Sequence, residues 1–397
     1  MAPRSAGAAL VLAVLAGCSA AEQTAGDLSK AGGVPPAPAP DAGTASPAPP
    51  AVPVFVPPVA GPPVHPADAF CSADGSAYQV IDTGTLGAGF AWLRSVNRSG
   101  KAAGGSLLKG GVLHAIVYDV AARTMVDLTA TGGSGPAEAN AINDSGTIAG
   151  TFDLAPENYF PFAISPSGDW LDLGLLDAEV QRSRGAMAVN SLGHVAGYTV
   201  KSGETHAFLW REGTVLDLGS PPSVAFAVND ADQVAGKSSF GGEFDHPFLH
   251  EQGAMRDLGT LGGNSGAAYA INASGVVVGA AETADGSVRA FRYDGRLAEV
   301  GVAGPFANSV ATSIDSKGRI VGWTTDEASI FLDPLPVAAR SSSFLIRQDG
   351  SQVDLSETHL LPAGFEDARA FSISDSGIIA GSGRCGNGVH GFFLLPH

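Results

Sequence analysis

From about residue 70 onward the chain alternates apolar and polar residues in short runs that end at Gly, Asn or Asp. Examples are Thr147-Ile-Ala-Gly150, Val276-Val-Val-Gly279 and His206-Ala-Phe-Leu-Trp210. Alternation with a period of two is typical of β-strands that bury one face. With 53 glycines and only 15% charged residues, the composition also favours a turn-rich β chain over a helical one. The pattern therefore predicts an all-β domain.

One degenerate motif, N-x-x-G-x-x-x-G, recurs seven times in this region. Its copies begin at Asn97, Asn143, Asn190, Asn229, Asn272, Asp315 and Ser374, and successive copies start 46, 47, 39, 43, 43 and 59 residues apart. A period of about 40 to 50 residues is that of four-stranded propeller blades, and it exceeds that of leucine-rich repeats. The repeat predicts a seven-bladed β-propeller.

The residues that precede each motif share their character. Two positions before the Asn-like residue stands Ala or Ser in all seven copies, and one position before it stands Val or Ile. A small residue on one face and a β-branched residue on the other suit a strand crowded between neighbouring sheets, as near a propeller axis. The Asn-like residue and the Gly after it predict a turn.

Two further motifs complete a blade. A third strand contains His-Ala-Phe or a relative of it, as at His206, and a fourth ends in Asp-Leu-Gly, as at Asp257. Because equivalent residues of a ring lie around the axis and not in one pocket, we interpret these His and Asp residues as framework. We expect the His to bond a backbone carbonyl or a neighbouring Asp, with metal ligation as the alternative.

His-Ala-Phe followed by Asp257-Leu-Gly-Thr-Leu-Gly-Gly263 resembles the HAF-repeat family of bacterial extracellular proteins. The resemblance covers about residues 78 to 397. It implies secretion and a repeated β-architecture, and it implies no catalytic residues.

The seventh repeat ends after its third strand, whereas residues 78–86 form an orphan fourth strand before the first repeat. Pairing the two would complete the last blade and close the ring, which removes two raw strand edges. Closure would also bring Cys71 near Cys385. We therefore expect a disulfide between them, with two free thiols as the alternative. An open β-solenoid is the alternative to the ring.

The N-terminus has the features of an export signal. A basic start at Arg4 and a short apolar run precede Leu15-Ala-Gly-Cys18, which resembles the lipobox of bacterial lipoproteins. The run is too short to span a bilayer. We expect residues 1–17 to be the signal peptide and Cys18 to bear the lipid. The alternative is an ordinary secretory peptide with an incidental cysteine. The residue after this cysteine is Ser19. By resemblance to the sorting rules of Gram-negative lipoproteins, the absence of Asp at this position indicates the outer membrane.

Residues 18–70 are expected to form a disordered stalk before a propeller at 71–397. Between residues 35 and 66 there are 13 prolines mixed with Ala and Val, a composition that favours extended polyproline II. We interpret it as a spacer, with a ligand for a proline-binding groove as the alternative.

The formal charge is −17, and most of it belongs to the repeat region. Such an acidic surface repels phosphate backbones and argues against nucleic acid as a partner. The sequence has no G-x-S-x-G elbow, no H-E-x-x-H zinc helix, no G-x-G-x-x-G between a strand and a helix, and no EF-hand spacing. No catalytic residue, metal or cofactor is therefore predicted.

Departures from the repeat are the better site candidates. The residue three before each Asn-like position varies from copy to copy and includes Arg94, Asn140 and Tyr269. The insertion at 323–340 contains Asp326 and Glu327. These five residues are the candidates for ligand binding, with packing and loop drift as the alternative.

The sequence thus predicts a monomeric, lipid-anchored binding or scaffolding propeller of the cell envelope, on the outer membrane and either periplasmic or surface-exposed. Its expected partners are the membrane, through Cys18, and an envelope or extracellular protein or glycan. The alternatives are a propeller hydrolase or lyase with acidic residues in its channel, and a structural surface-layer component.

Overall fold

The computed structural model describes residues 59–69, 71–74, 78–130, 135–153, 159–171, 173, 185–302, 304–327, 340–356 and 365–397. Every regular element in these ranges is a β-strand. The strands form seven antiparallel sheets, and each innermost strand contacts those of two neighbouring sheets. The predicted seven-bladed propeller of four-stranded blades is confirmed. In the same ranges there is no helix with the length and hydropathy needed to span a membrane.

We number the blades in chain order, each from its innermost strand outward. Blade 1 comprises β3 (Ala91–Val96), β4 (Lys101–Leu107), β5 (Leu113–Asp119) and β6 (Thr124–Asp127); blade 2 comprises β7 (Ala137–Ile142), β8 (Ile148–Asp153), β9 (Tyr159–Ile164) and β10 (Trp170–Leu171); blade 3 comprises β11 (Gly185–Val189), β12 (Val195–Lys201), β13 (Glu204–Arg211) and β14 (Thr214–Asp217). Blade 4 comprises β15 (Ser223–Val228), β16 (Val234–Ser238), β17 (His246–Glu251) and β18 (Ala254–Asp257); blade 5 comprises β19 (Gly262–Ile271), β20 (Val277–Thr283), β21 (Val288–Tyr293) and β22 (Leu297–Glu299); blade 6 comprises β23 (Asn308–Ile314), β24 (Ile320–Thr325), β25 (Ser341–Ile346) and β26 (Gln352–Asp354). Blade 7 comprises β27 (Phe365–Ile373), β28 (Ile379–Cys385), β29 (Gly388–Pro396) and β2 (Tyr78–Asp82), with β1 (Ala73–Asp74) as a fifth strand outside β2.

The ring is closed as predicted. Strand β2 pairs with β29 from Tyr78 opposite Pro396 to Asp82 opposite Phe392. Cys71 and Cys385 form a disulfide with their Cα atoms 6.2 Å apart. Leu93 of blade 1 packs in one core cluster with side chains of β2 and β29. The first and last parts of the propeller are therefore one blade that packs against blade 1.

Residues 59–69 precede the closing strand β2 in sequence, and they lie along the outermost strand of blade 1. Val64 forms an antiparallel bridge with Met125 on the outer strand of blade 1, and the carboxylate of Asp68 accepts two hydrogen bonds from Thr85. The end of the predicted stalk thus contacts blade 1. Cys18 lies outside the described residues.

Each innermost strand contains a β-bulge. In all seven blades its register shifts at the variable residue three positions before the Asn-like residue. The shift brings a carbonyl oxygen of the innermost strand against the second glycine of the motif. A Cβ on Gly279 would lie 2.0 Å from the Ala267 oxygen, and the six equivalent glycines show 1.9 to 2.2 Å. The recurring glycine is therefore explained by this close approach.

The phenylalanine of His-Ala-Phe lies directly opposite the same glycine, as Phe208 does opposite Gly197. It then packs against the preceding blade, where Ala141, Ala149 and Ala163 surround it. Small residues on one blade thus admit the ring of the next, which confirms the predicted crowding between sheets.

The Asn-like residues form a belt of hydrogen bonds around the ring. The Oδ1 of Asn97 accepts the N–H groups of Ser99 and Lys101 and so builds the predicted turn. Its Nδ2 donates 3.0 Å to the carbonyl of Asn143 in the next blade, and equivalent bonds of 2.8 to 3.2 Å continue to Asp315. The carboxylate of Asp315 has no N–H to donate, and there the Arg319 guanidinium donates to the Ser374 carbonyl instead.

The predicted bond between the repeated His and a neighbouring Asp is confirmed. The third-strand His bonds the fourth-strand Asp through Nδ1 in four blades at 2.8 to 3.1 Å, at His114, His206, His246 and His390. Each carboxylate also accepts the N–H of the residue two positions later, as Asp257 does from Gly259. Asp82 has a larger role, because it accepts the Cys71 N–H as well and is fully buried.

Replacing Gly279 by Ala should destabilise the propeller by about 1 to 3 kcal/mol or more, because the added methyl group overlaps the Ala267 carbonyl. Gly301→Ala is the matched control, since a Cβ there meets open space. Urea unfolding of the two variants measures the difference. Equal stability of both would contradict the close-approach explanation.

Asp82→Ala should lower the free energy of unfolding by about 3 to 5 kcal/mol. The substitution removes the carboxylate that the Cys71 N–H and His390 Nδ1 bond in a buried position. Asp257→Ala removes the same motif residue where the carboxylate is 41% exposed, and it should cost about 1 kcal/mol or less. The free energy of unfolding by urea is the measurement. A loss at Asp257 as large as that at Asp82 would refute the special role of the closing blade.

Candidate functional site

The extra residue of each bulge lies unpaired on the innermost strand, which is the strand nearest the propeller axis. A bulge leaves one residue unpaired and re-aims its side chain, and the innermost strand has no further strand beyond it. We call these seven residues the axial ring: Arg94, Asn140, Met187, Phe226, Tyr269, Thr312 and Phe371. All except the buried Phe371 are half-buried.

Neighbouring members of the axial ring touch one another. Asn140 Nδ2 lies 3.7 Å from the sulfur of Met187, the rings of Phe226 and Tyr269 are 5.5 Å apart, and Arg94 lies over Phe371 at 5.8 Å. Three of the seven neighbouring pairs in the axial ring are therefore in direct contact.

Three of the five predicted candidates, Arg94, Asn140 and Tyr269, belong to this ring. Glu327 is not part of the ring, and its carboxylate lies 3.7 Å from the Arg369 guanidinium. Asp326 does not join them, because it pairs with Arg340 at 3.2 Å in an exposed position. Residues 328–339 of the predicted insertion lie outside the described residues.

Arg94 is held in place by a buried acid. Its Nε donates 2.7 Å to Oε1 of Glu138 in blade 2, and Trp92 Nε1 donates to the same oxygen. The side chains of Arg94 and Glu138 are 15% and 9% exposed. A charge-assisted bond in such a setting is short and directional, so the guanidinium has a fixed orientation at the axis.

A row in which two aromatic rings lie between two cations extends from Arg94 toward blade 6. Phe371 lies edge-on to Trp323 at 5.2 Å, and the buried Arg369 lies over Trp323 at 5.5 Å. Both distances suit aromatic and cation–π attraction. Trp323 and Arg369 were not among the sequence candidates. A charged residue on an innermost strand was the one available signal, and it could not be interpreted before the bulge was known.

The ring members of blades 3, 4 and 5 are Met187, Phe226 and Tyr269, and Tyr269 also packs against the core cluster that contains Trp323 and Phe371. Burial raises the pKa of the Tyr269 phenol, because the low dielectric disfavours its anion. Tyr269 therefore presents a neutral hydroxyl group, which is able to donate a hydrogen bond.

Two ring members also link blades. Asn140 Nδ2 donates 2.9 Å to the Ala186 carbonyl, and Thr312 Oγ1 donates 2.8 Å to the Ala370 carbonyl. Their donors are thus used within the fold.

A second concavity of about 660 Å³ opens between blades 5 and 6. Arg289, Glu299, Phe306 and Gln352 line it. Here Arg289 and Glu299, 3.6 Å apart, take the place of the His–Asp pair of other blades. The two charges face each other across the opening and are partly exposed.

Comparison with known proteins bears on the fold. No protein-family model matches the chain, and no curated protein does. Among solved structures, an oligogalacturonate lyase in complex with manganese is similar at a TM-score of 0.50 and 12% identity, over 86% of this chain and 99% of that one. TolB from Acinetobacter baumannii has a TM-score of 0.41 and 13% identity, over 72% of this chain and 76% of that one. The β-propeller domain of the Trilobed protease from Pyrococcus furiosus has a TM-score of 0.45 and 12% identity, over 76% of this chain and 99% of that one. At these identities the likeness shows a propeller fold alone.

Tyr269 should remain protonated when ordinary tyrosines ionise near pH 10.0. A phenol whose folded pKa is raised adds stability below pH 10.0 that is lost as the pH rises above it. Tyrosinate absorbance of the native protein and of Tyr269→Phe should therefore coincide up to that pH. A drop of one tyrosine in the variant near pH 10.0 would contradict burial of the phenol.

Proposed function

We propose that this chain is an exported, lipid-anchored β-propeller that acts as a binding module in the bacterial cell envelope and holds its ligand at the axial ring. One observation supports this most strongly. Seven bulges recur at the same position of the repeat, while the side chain there varies among six residue types and only phenylalanine occurs twice. A rigid scaffold with varied side chains around one opening is the arrangement of a binding site.

The lipid on Cys18 would tether the protein, and the proline-rich residues would keep the propeller on the order of 100 Å from the bilayer. The disulfide suits an oxidising compartment outside the cytoplasm. The residues after Cys18 support the outer membrane, and the His-Ala-Phe repeats support membership of the HAF-repeat family. The partner in this proposal is an envelope or extracellular protein or glycan, bound by a monomer.

A hydrolase or lyase in the same channel would need carboxylates that are free to act on a substrate. None of the seven axial-ring residues is acidic. Glu138, which reaches the ring, accepts hydrogen bonds from both Arg94 and Trp92. These contacts favour binding over catalysis. Turnover of a saccharide or peptide by the native chain would reverse that preference, and ordered self-assembly of the purified chain would favour a surface-layer role.

The test is capture of ligand from envelope extract by the immobilised full chain. Tyr269→Ala with Phe226→Ala should lower the affinity for captured components by at least about tenfold, because aromatic anchors dominate contact energy. Leu192→Ser is the matched control, since Leu192 is 62% exposed on a turn away from the ring. Capture that survives the double variant as well as it survives the control would refute the axial site.

A further inference from the structure

We propose that the ligand of the axial ring carries a carboxylate and that the two terminal nitrogens of Arg94 receive it. This inference rests on the proposed function and adds the chemical class of the ligand. It depends on the orientation of one guanidinium, on the groups that hold it and on the surface beside it.

Only one edge of the Arg94 guanidinium is used by the protein. Nε bonds Glu138, and no described residue accepts a hydrogen bond from Nη1 or Nη2. The side chain is 15% exposed, so these nitrogens are accessible from the axis. A guanidinium edge with two parallel N–H groups matches the two oxygens of a carboxylate.

The orientation of this edge is set before any ligand arrives. Glu138 is itself buried and receives a second hydrogen bond from Trp92 Nε1, while Phe371 lies under the guanidinium. A long side chain held on three sides loses little conformational entropy when it binds. Arg98, which is 63% exposed on the turn between β3 and β4 of the same blade, lacks this support.

The row beside Arg94 offers a further donor. Trp323 is 3% exposed, and its Nε1 has no hydrogen-bond partner among the described residues. A buried N–H without a partner costs free energy, which an acceptor oxygen bound in the row would recover. Trp210 Nε1 is likewise without a partner in the described part of the chain, and its distance from the row makes it a useful internal control.

The surroundings favour a singly charged ligand that also bears a ring. The chain carries a net charge of −17, which disfavours polyanions such as nucleic acid. The aromatic rings of Phe226 and Tyr269 suit a partner that can pack on them, either the C–H face of a sugar or an aromatic ring. A uronic acid and an aromatic carboxylic acid share the required chemistry.

The test follows the four indole N–H resonances of the full chain by ¹⁵N-resolved NMR, at constant ionic strength. Sodium glucuronate and sodium benzoate represent the two sources, sodium acetate represents the carboxylate alone, and methyl glucoside and benzyl alcohol are neutral counterparts. We expect the Trp92 resonance to shift saturably with at least one of the two ring carboxylates and not with its neutral counterpart, while Trp170 and Trp210 stay unchanged. Tighter binding of glucuronate would identify the ligand as a uronic acid, and tighter binding of benzoate would identify it as an aromatic carboxylic acid.

Arg94→Gln should weaken carboxylate binding by at least about tenfold, and Arg98→Gln should leave it unchanged. Arg94→Lys keeps a charge beside Glu138 but lacks the paired N–H groups, so it should bind almost as weakly as Arg94→Gln. Full affinity in Arg94→Lys would overturn the paired-nitrogen mechanism even if Arg94→Gln failed to fold.

Equal binding of charged and neutral probes, or no response of Trp92 to any carboxylate, would also overturn the inference. If capture from envelope extract still depended on Tyr269 and Phe226 in that case, the proposed function would stand and only the ligand class would be wrong. Loss of that dependence would refute the proposed function itself.

Discussion

The structure depends on a carbonyl oxygen that presses against a glycine in every blade. The innermost strand has one residue more than its neighbour needs, and the resulting bulge drives a backbone oxygen to about 2 Å from where a Cβ would stand. Only glycine permits this approach without a backbone shift. The same bulge leaves one residue per blade unpaired on the innermost strand, so the constraint that shapes the blade also creates the axial ring.

Ring closure supplies the second requirement, because seven bulges surround one axis only if the blades form a circle. Two sets of polar contacts maintain that circle. The Asn belt links neighbouring blades on one face, and Asp82 joins the N-terminal strand, the disulfide and His390 in the last blade. The repeated residues are thus framework, and the variation permitted between them lies at the axis.

That division of roles supports a binding module. The framework residues bond one another within a blade or to the next blade, so they have little capacity left for a ligand. Arg94 differs from them, since buried groups orient it while two of its nitrogens remain accessible. The cation–aromatic row of blades 1, 6 and 7 and the Phe226–Tyr269 pair of blades 4 and 5 give the ring both cationic and aromatic members.

The sequence by itself determined the blade count, the four strands, the closing strand and the Cys71–Cys385 pair, because these follow from local periodicity and from where the repeat begins and ends. It also indicated that Arg94, Asn140 and Tyr269 depart from the repeat. It could not show why they do, since a bulge is a register shift between two strands and leaves no periodic signal. Trp323 and Arg369 are far from Arg94 in sequence, and only the packing of blades 6, 7 and 1 around one axis brings the three together.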